Sequence, residues 1–129
     1  MPATLQLTDN ELSDAFAACT REEAKDFHER RTSNRWAYPV IQPLAPYGYW
    51  GFPKAEMFKA VRCHDLSTGG ISFTMRGTPK FEIGVIGLGP AAQRQYFVVR
   101  VVYRRQVNVD ANGYLVGCEF VERICPPAE

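Results

Sequence analysis

The sequence predicts a mostly β domain, an antiparallel barrel or sandwich, preceded by a helical extension. Six short runs rich in β-branched and aromatic residues follow Arg35, and clusters of Gly, Pro and polar residues separate them without intervening helices. The first thirty residues instead carry apolar side chains at helical spacing. With 129 residues, 46% of them hydrophobic, the chain is long enough for one ordinary packed core.

The helical extension is predicted to begin at a capping box formed by Thr8 and Glu11. The apolar stripe that follows consists of Leu12, Ala15, Phe16 and Cys19. Thr20 and Glu23 form a second capping box, and on a continuous helix Glu23 would fall inside the stripe. We therefore expect a break near Thr20 or two short helices, the second reaching about Arg30.

The strands are predicted from alternation and from the turn residues that bound each run. They cover residues 36–44, 57–64, 70–75, 81–88, 94–109 and 114–121. Pro39 and Pro43 indicate that the first run is an edge strand or carries a bulge, because proline cannot donate to a ladder. The segment 110–113 ends in Asn-Gly, which is typical of a hairpin turn.

Charge excludes two classes of partner. The chain carries 15 Lys plus Arg against 14 Asp plus Glu, and this near balance argues against a binder of DNA or RNA. No run approaches the roughly 20 apolar residues of a membrane span, and the N-terminus lacks a secretion signal, so we expect a cytoplasmic protein. The charge is nevertheless segregated: residues 1–29 are acidic and the remainder is basic.

Catalytic and metal-binding patterns are not found. The four cysteines and two histidines do not have zinc-ligand spacing, and we expect reduced thiols. Cys63, His64 and Asp65 contain the residue types of a protease triad, but neighbours on a strand face opposite sides. We therefore expect no enzyme, no metal and no cofactor.

Two polar motifs, 30–35 and 65–70, indicate a site for a small anionic ligand that carries a purine. Guanidinium groups suit phosphate oxygens and the O6 and N7 atoms of guanine, whereas a carboxylate suits the N–H donors of guanine. A small hydroxyl donates to phosphate oxygen, and glycine permits close approach of the backbone. The candidate ligand-binding residues are Arg30, Arg31, Arg35, Asp65, Ser67 and Gly70.

These motifs resemble the signature of PilZ domains, the bacterial receptors for cyclic di-GMP. Arg31-x-x-x-Arg35 matches R-x-x-x-R, and Asp65-x-Ser67-x-x-Gly70 matches [D/N]-x-S-x-x-G about thirty positions later. The resemblance implies a six-stranded antiparallel β-barrel over residues 30–121, between an acidic helical extension, 1–29, and a tail, 122–129.

The resemblance also implies roles for the motif residues. Arg31 and Arg35 would grip the phosphates and guanine of cyclic di-GMP, and the polar turn with Asp65, Ser67 and Gly70 would support the other side of the ligand. An arginine at the position of Arg30 is associated with binding of an intercalated ligand dimer.

The function implied by the resemblance is that of a non-catalytic receptor. It would change conformation on binding cyclic di-GMP and signal to an effector protein that controls motility, polysaccharide synthesis or adhesion. The alternative is a PilZ-like protein-interaction module without nucleotide binding. The amphipathic N-terminal helix could also pair with a copy of itself in a homodimer.

Overall fold

The computed structural model describes residues 5–19 and 35–127, which form a closed barrel of six antiparallel strands, one strand outside it and one short helix. The elements are α1 Asp9–Phe16, β1 Arg35–Ala37, β2 Ile41–Pro46, β3 Lys59–Ser67, β4 Gly70–Arg76, β5 Ile83–Leu88, β6 Gln95–Asn108 and β7 Gly113–Ile124. Single 3-10 turns, Ala55–Met57 and Ala91–Gln93, precede β3 and β6. The predicted fold class is confirmed. Within these ranges no helix is both long and apolar enough to cross a membrane.

The barrel closes because β3 pairs on both of its edges. The strands follow one another around the ring in the order β3, β2, β5, β6, β7, β4, and β4 returns to β3. The outside strand, β1, pairs with the same edge of β3 as β2 does, but with a later stretch of it. Ala37 of β1 is opposite Asp65, and Ile41 of β2 is opposite Arg62.

The first predicted strand, 36–44, is two strands in the structure. Pro39 has no N–H to donate, and the chain makes a tight turn around it in which the N–H of Val40 donates to the Tyr38 carbonyl oxygen at 2.8 Å. The two halves, β1 and β2, still pair with consecutive stretches of β3. The edge position indicated by the prolines therefore applies to β1 only, because β2 is paired on both sides.

Two strands run further than predicted because they have partners beyond the predicted ends. β3 continues to Ser67, which is opposite Arg35 of β1. β7 continues to Ile124, opposite Tyr96 of β6, so 122–124 of the predicted tail are strand. The turn at 110–113 connects β6 to β7 as predicted, with Asn112 in the left-handed region at φ 52°.

The helix α1 closes the end of the barrel at which β3, β5 and β7 end. Its capping box is confirmed, since the Thr8 hydroxyl accepts from the Glu11 N–H and the Glu11 carboxylate accepts from the Thr8 N–H. Its buried side chains, Leu12, Ala15 and Phe16, belong to the same hydrophobic core as the strands. The second predicted helix, around 20–30, lies outside the described residues.

A buried hydrogen-bond network joins α1 to the barrel. The Tyr38 hydroxyl lies 3.0 Å from the Ala15 carbonyl oxygen and 2.8 Å from Gln42 Oε1. The Gly89 N–H donates to the same Gln42 oxygen at 2.6 Å. Because burial desolvates the phenolate form, the pKa of Tyr38 is raised far above its ordinary value. The network thus fixes the end of α1 against β2 and the end of β5.

An ion pair fixes the other end of α1. The Arg123 guanidinium on β7 donates two hydrogen bonds to the Glu11 carboxylate, whose side chain is only 12% exposed. The hydrogen bonds from Arg123, together with those from Thr8, hold the pKa of Glu11 below its ordinary value of 4.5. The ionised carboxylate therefore stabilises the folded protein.

We predict that this stabilisation depends on pH. A depressed folded pKa contributes stability that is fully present above about pH 4.5 and is lost as the pH falls through the folded pKa. Glu11→Gln should lower the free energy of unfolding at pH 7 by about 1 kcal/mol and flatten its decline in acid. The measurement is urea unfolding at several pH values, with Glu122→Gln on exposed β7 surface as the control. Identical pH profiles for Glu11→Gln and the wild type would contradict this role.

Candidate functional site

A cleft of about 80 Å³ opens at the rim of the barrel where β3 ends and β4 begins. One wall carries motif residues from both halves of the sequence pattern, and the opposite wall comes from β6 and β7. The lining residues are Arg35, Asp65, Leu66, Ser67, Gly70, Ile71, Ser72, Val102, Tyr103, Gly117 and Cys118. Four of the predicted site residues are therefore together in one cleft, whereas Arg30 and Arg31 lie outside the described residues.

Strand pairing brings the two motifs into contact with the same cleft. In the register of β1 and β3, Arg35 is directly opposite Ser67. Cross-strand neighbours in an antiparallel pair have their side-chain origins about 5 Å apart. Arg35 is exposed and Ser67 is half-buried, so the two side chains start from neighbouring positions on one face and that of Arg35 is open to solvent.

The turn between β3 and β4 is organised by the Ser67 hydroxyl. Its Oγ accepts the N–H of Gly69 at 3.3 Å and the N–H of Gly70 at 3.1 Å. Gly70 is required by packing, because a Cβ there would lie 2.3 Å from the Cys118 carbonyl oxygen of β7. The serine and the final glycine of the motif thus shape the turn and also line the cleft.

The Asp65 backbone is placed by a β-bulge in β3. Cys63 is opposite Phe73 and Asp65 is opposite Ser72, so His64 is an extra residue without a partner on β4. The Asp65 N–H donates to the buried Ser72 hydroxyl at 3.1 Å. The Ser72 hydroxyl therefore accepts a hydrogen bond from a backbone N–H that the irregular pairing of β3 with β4 leaves without a partner on β4.

The bulge also corrects one expectation from the sequence. Adjacent side chains on a regular strand cannot meet, yet His64 Nδ1 lies 3.0 Å from Asp65 Oδ2. Cys63 does not join them, because its side chain is buried in the core and burial raises the pKa of its thiol to about 12. The three neighbours consequently do not form a nucleophilic site.

The opposite wall contains an aromatic platform that the sequence did not reveal. Tyr103 is opposite Gly117, after a register shift in β6 that begins at Val101. The Tyr103 ring covers the glycine, since a Cβ on Gly117 would lie 2.0 Å from the ring atom Cε2. Tyr103 is nevertheless 37% exposed as a residue. The pairing of Tyr103 with Gly117 is the signal that could have predicted this platform. This pairing can be recognised only when the register of β6 and β7 is known.

The N-terminal segment holds the back of the motif turn. The Leu7 N–H donates to the Thr68 carbonyl oxygen at 2.7 Å, and the Thr68 hydroxyl donates to Gln6 Oε1 at 2.8 Å. The Phe120 N–H of β7 donates to the Gly69 carbonyl oxygen at 2.9 Å. The turn is thus hydrogen-bonded both to β7 and to residues 6–7, which precede α1.

The chemistry of the cleft suits binding. In the described part of the chain, Arg35 has no ion-pair partner, and no three His, Cys, Asp or Glu side chains are grouped to hold a metal. By contrast, Arg100 and Arg104 of β6 are paired with Glu119 and Glu82. Arg35 therefore offers its charge to an anion, and the Asp65 carboxylate adds an acceptor nearby. The Ser67 hydroxyl donates to the Gly70 carbonyl oxygen at 3.3 Å.

The cleft is small for a ligand with two nucleotides. Pockets that enclose such molecules have volumes of roughly 300–1,000 Å³, so the cleft of the described residues does not by itself enclose such a ligand. Compared with family models, with curated proteins and with solved structures, the chain matches none. The resemblance to PilZ domains rests on the two motifs.

We predict that Gly70→Ala destabilises the fold, because its Cβ would meet a backbone oxygen that cannot rotate away. The expected loss is about 1–3 kcal/mol of unfolding free energy, measured by urea denaturation. Gly69→Ala is the matched control, since its Cβ would lie 3.2 Å from the end of the flexible Gln6 side chain. Equal stabilities for the two variants would show that β4 and β7 do not need this close approach.

Proposed function

We propose that this protein is a non-catalytic receptor for cyclic di-GMP. Binding of the ligand would change its conformation, and a protein partner would recognise the changed surface. The observation that carries the proposal is the convergence of Arg35 with Asp65, Ser67 and Gly70 on one cleft. The two motifs are about thirty positions apart in the chain, and strand pairing brings them together. Sequence spacing alone did not require this convergence.

Each group in the cleft suits one part of the ligand. The Arg35 guanidinium, which has no ion-pair partner among the described residues, can bind a phosphate bidentately. The Ser67 hydroxyl donates to the Gly70 carbonyl oxygen at 3.3 Å in this structure, and it can rotate to donate to a phosphate oxygen instead. The Asp65 carboxylate can accept from the N–H groups of guanine. The exposed Tyr103 ring offers a face on which a purine can stack.

The arginines that precede β1 in the sequence would complete the site. Arg30 and Arg31 stand five and four positions before Arg35 in the sequence, so the segment that leads to β1 carries two further cations. Arg31 would bind the phosphates and guanine together with Arg35. Arg30 would contact a second ligand molecule in an intercalated dimer.

The contacts of α1 provide a route from the ligand to a partner. Trp36 and Tyr38, which follow Arg35, pack edge-on against Phe16 of α1, with ring centroids 6.3 Å and 5.4 Å apart. On the other side, Leu7 is hydrogen-bonded to the motif turn. A ligand that draws Arg35 towards the turn therefore pulls on the contacts of β1 with the helix while the turn holds the other attachment, and the acidic extension would present the altered surface.

Calorimetric titration with cyclic di-GMP tests the proposal. The wild type should bind with a Kd in the micromolar range or tighter, and binding should weaken as salt screens the phosphates. Arg35→Ala should lower affinity by about 10- to 100-fold, because a charge-assisted hydrogen-bonded pair is lost. Arg76→Ala is the control, since Arg76 is exposed at the far end of β4. Absence of heat at high ligand concentration would contradict the proposal and favour a module that acts through protein contacts alone.

Amide hydrogen exchange tests the route to α1. Ligand binding should change the exchange rates of the amides in residues 5–7 and in α1, because both are attached to residues around the cleft. The amides of the hairpin turn at 110–113 should serve as an internal control. Changes confined to the cleft would contradict a signal that passes through the helix.

A further inference from the structure

The β-bulge at His64 joins two side chains that the strand pattern would separate. His64 is the extra residue between Cys63 and Asp65 in the pairing of β3 with β4. A bulge changes the direction in which side chains leave a strand. As a result, the His64 imidazole and the Asp65 carboxylate lie on the same side, with Nδ1 3.0 Å from Oδ2.

The direction of this hydrogen bond follows from the acceptor. An ionised carboxylate has only lone pairs, so the proton must be on Nδ1 of the imidazole, which donates to Asp65 Oδ2. Among the described residues, His64 is the side chain that hydrogen-bonds to the Asp65 carboxylate. The second oxygen, Oδ1, and the remaining lone pair of Oδ2 are left for other donors.

The exposure of the pair argues against a role in stability. The His64 side chain is 57% exposed and that of Asp65 is 32% exposed. Ion pairs and hydrogen bonds at this degree of exposure contribute little to folding. The hydrogen bond to Ser72 already holds the backbone of Asp65. The effect of the imidazole is therefore to restrict rotation of the Asp65 carboxylate.

We propose that His64 is a positioning residue that orients the Asp65 carboxylate and thereby sets the preference of the cleft for guanine. This inference rests on the proposed function. Guanine presents two neighbouring N–H donors that a fixed carboxylate accepts together. Adenine presents a ring nitrogen acceptor at the corresponding position, and two acceptors repel each other. A carboxylate free to rotate would lose the paired geometry for guanine, while its weak interaction with adenine would not change.

Two substitutions distinguish the roles of the two imidazole nitrogens. In His64→Asn the side-chain amide nitrogen is at the same bond distance from Cα as Nδ1, so the donor to Asp65 is retained. In His64→Gln the amide nitrogen corresponds to Nε2, which is turned away from the carboxylate. Both variants keep a polar, uncharged side chain at an exposed position, and both should fold with the melting temperature of the wild type.

Titration with cyclic di-GMP and with cyclic di-AMP is the test. We expect His64→Asn to bind cyclic di-GMP like the wild type, whereas His64→Gln should bind it about 3- to 10-fold more weakly. Affinity for cyclic di-AMP should be the same in all three proteins, so only the ratio between the two ligands falls in His64→Gln. An equal loss for both ligands, or no difference between His64→Gln and His64→Asn, would overturn the positioning role. A wild type that binds neither ligand would overturn the proposed function itself, and this inference with it.

Discussion

The two-sided pairing of β3 is the constraint on which the rest of the structure depends. One edge of this strand pairs with β1 and β2, and the other edge pairs with β4, which closes the ring. Closure at this point requires a tight turn after Ser67 and a glycine at position 70, since β4 passes directly over a carbonyl oxygen of β7. The backbone that closes the barrel therefore also lines the cleft.

The cleft therefore has a rigid part, which is the motif turn, and a less constrained part, which is Arg35 on β1. The motif turn is held by its own serine, by Leu7 and by Phe120, so it cannot move without breaking hydrogen bonds of the barrel. Arg35, in contrast, begins a three-residue strand outside the ring. A short edge strand with few neighbours is where local rearrangement costs least. Any movement that a ligand causes would thus start at β1 and not at the turn.

Local patterns in the sequence predicted the elements, and pairing between distant segments decided the rest. The capping box at Thr8 and the turn at Asn112 depend on neighbours within four residues, which the sequence shows directly. The bulge at His64 depends on which residues of β4 are opposite β3, and the covering of Gly117 by Tyr103 depends on a register shift. For that reason the sequence indicated four residues of the cleft but neither its aromatic wall nor the orientation of Asp65.

The placement of charge explains why a nearly neutral chain can offer a strong local attraction for an anion. Arg100 and Arg104 of the long β6 strand are paired with Glu119 and Glu82, so these two cations contribute little net field. Arg123 is likewise committed to Glu11. Arg35 has no such partner within the described residues, and it lies at the rim of the cleft. A polyanion would need a field spread over the whole surface, whereas a compact ligand needs only one unpaired cation beside suitable donors and acceptors.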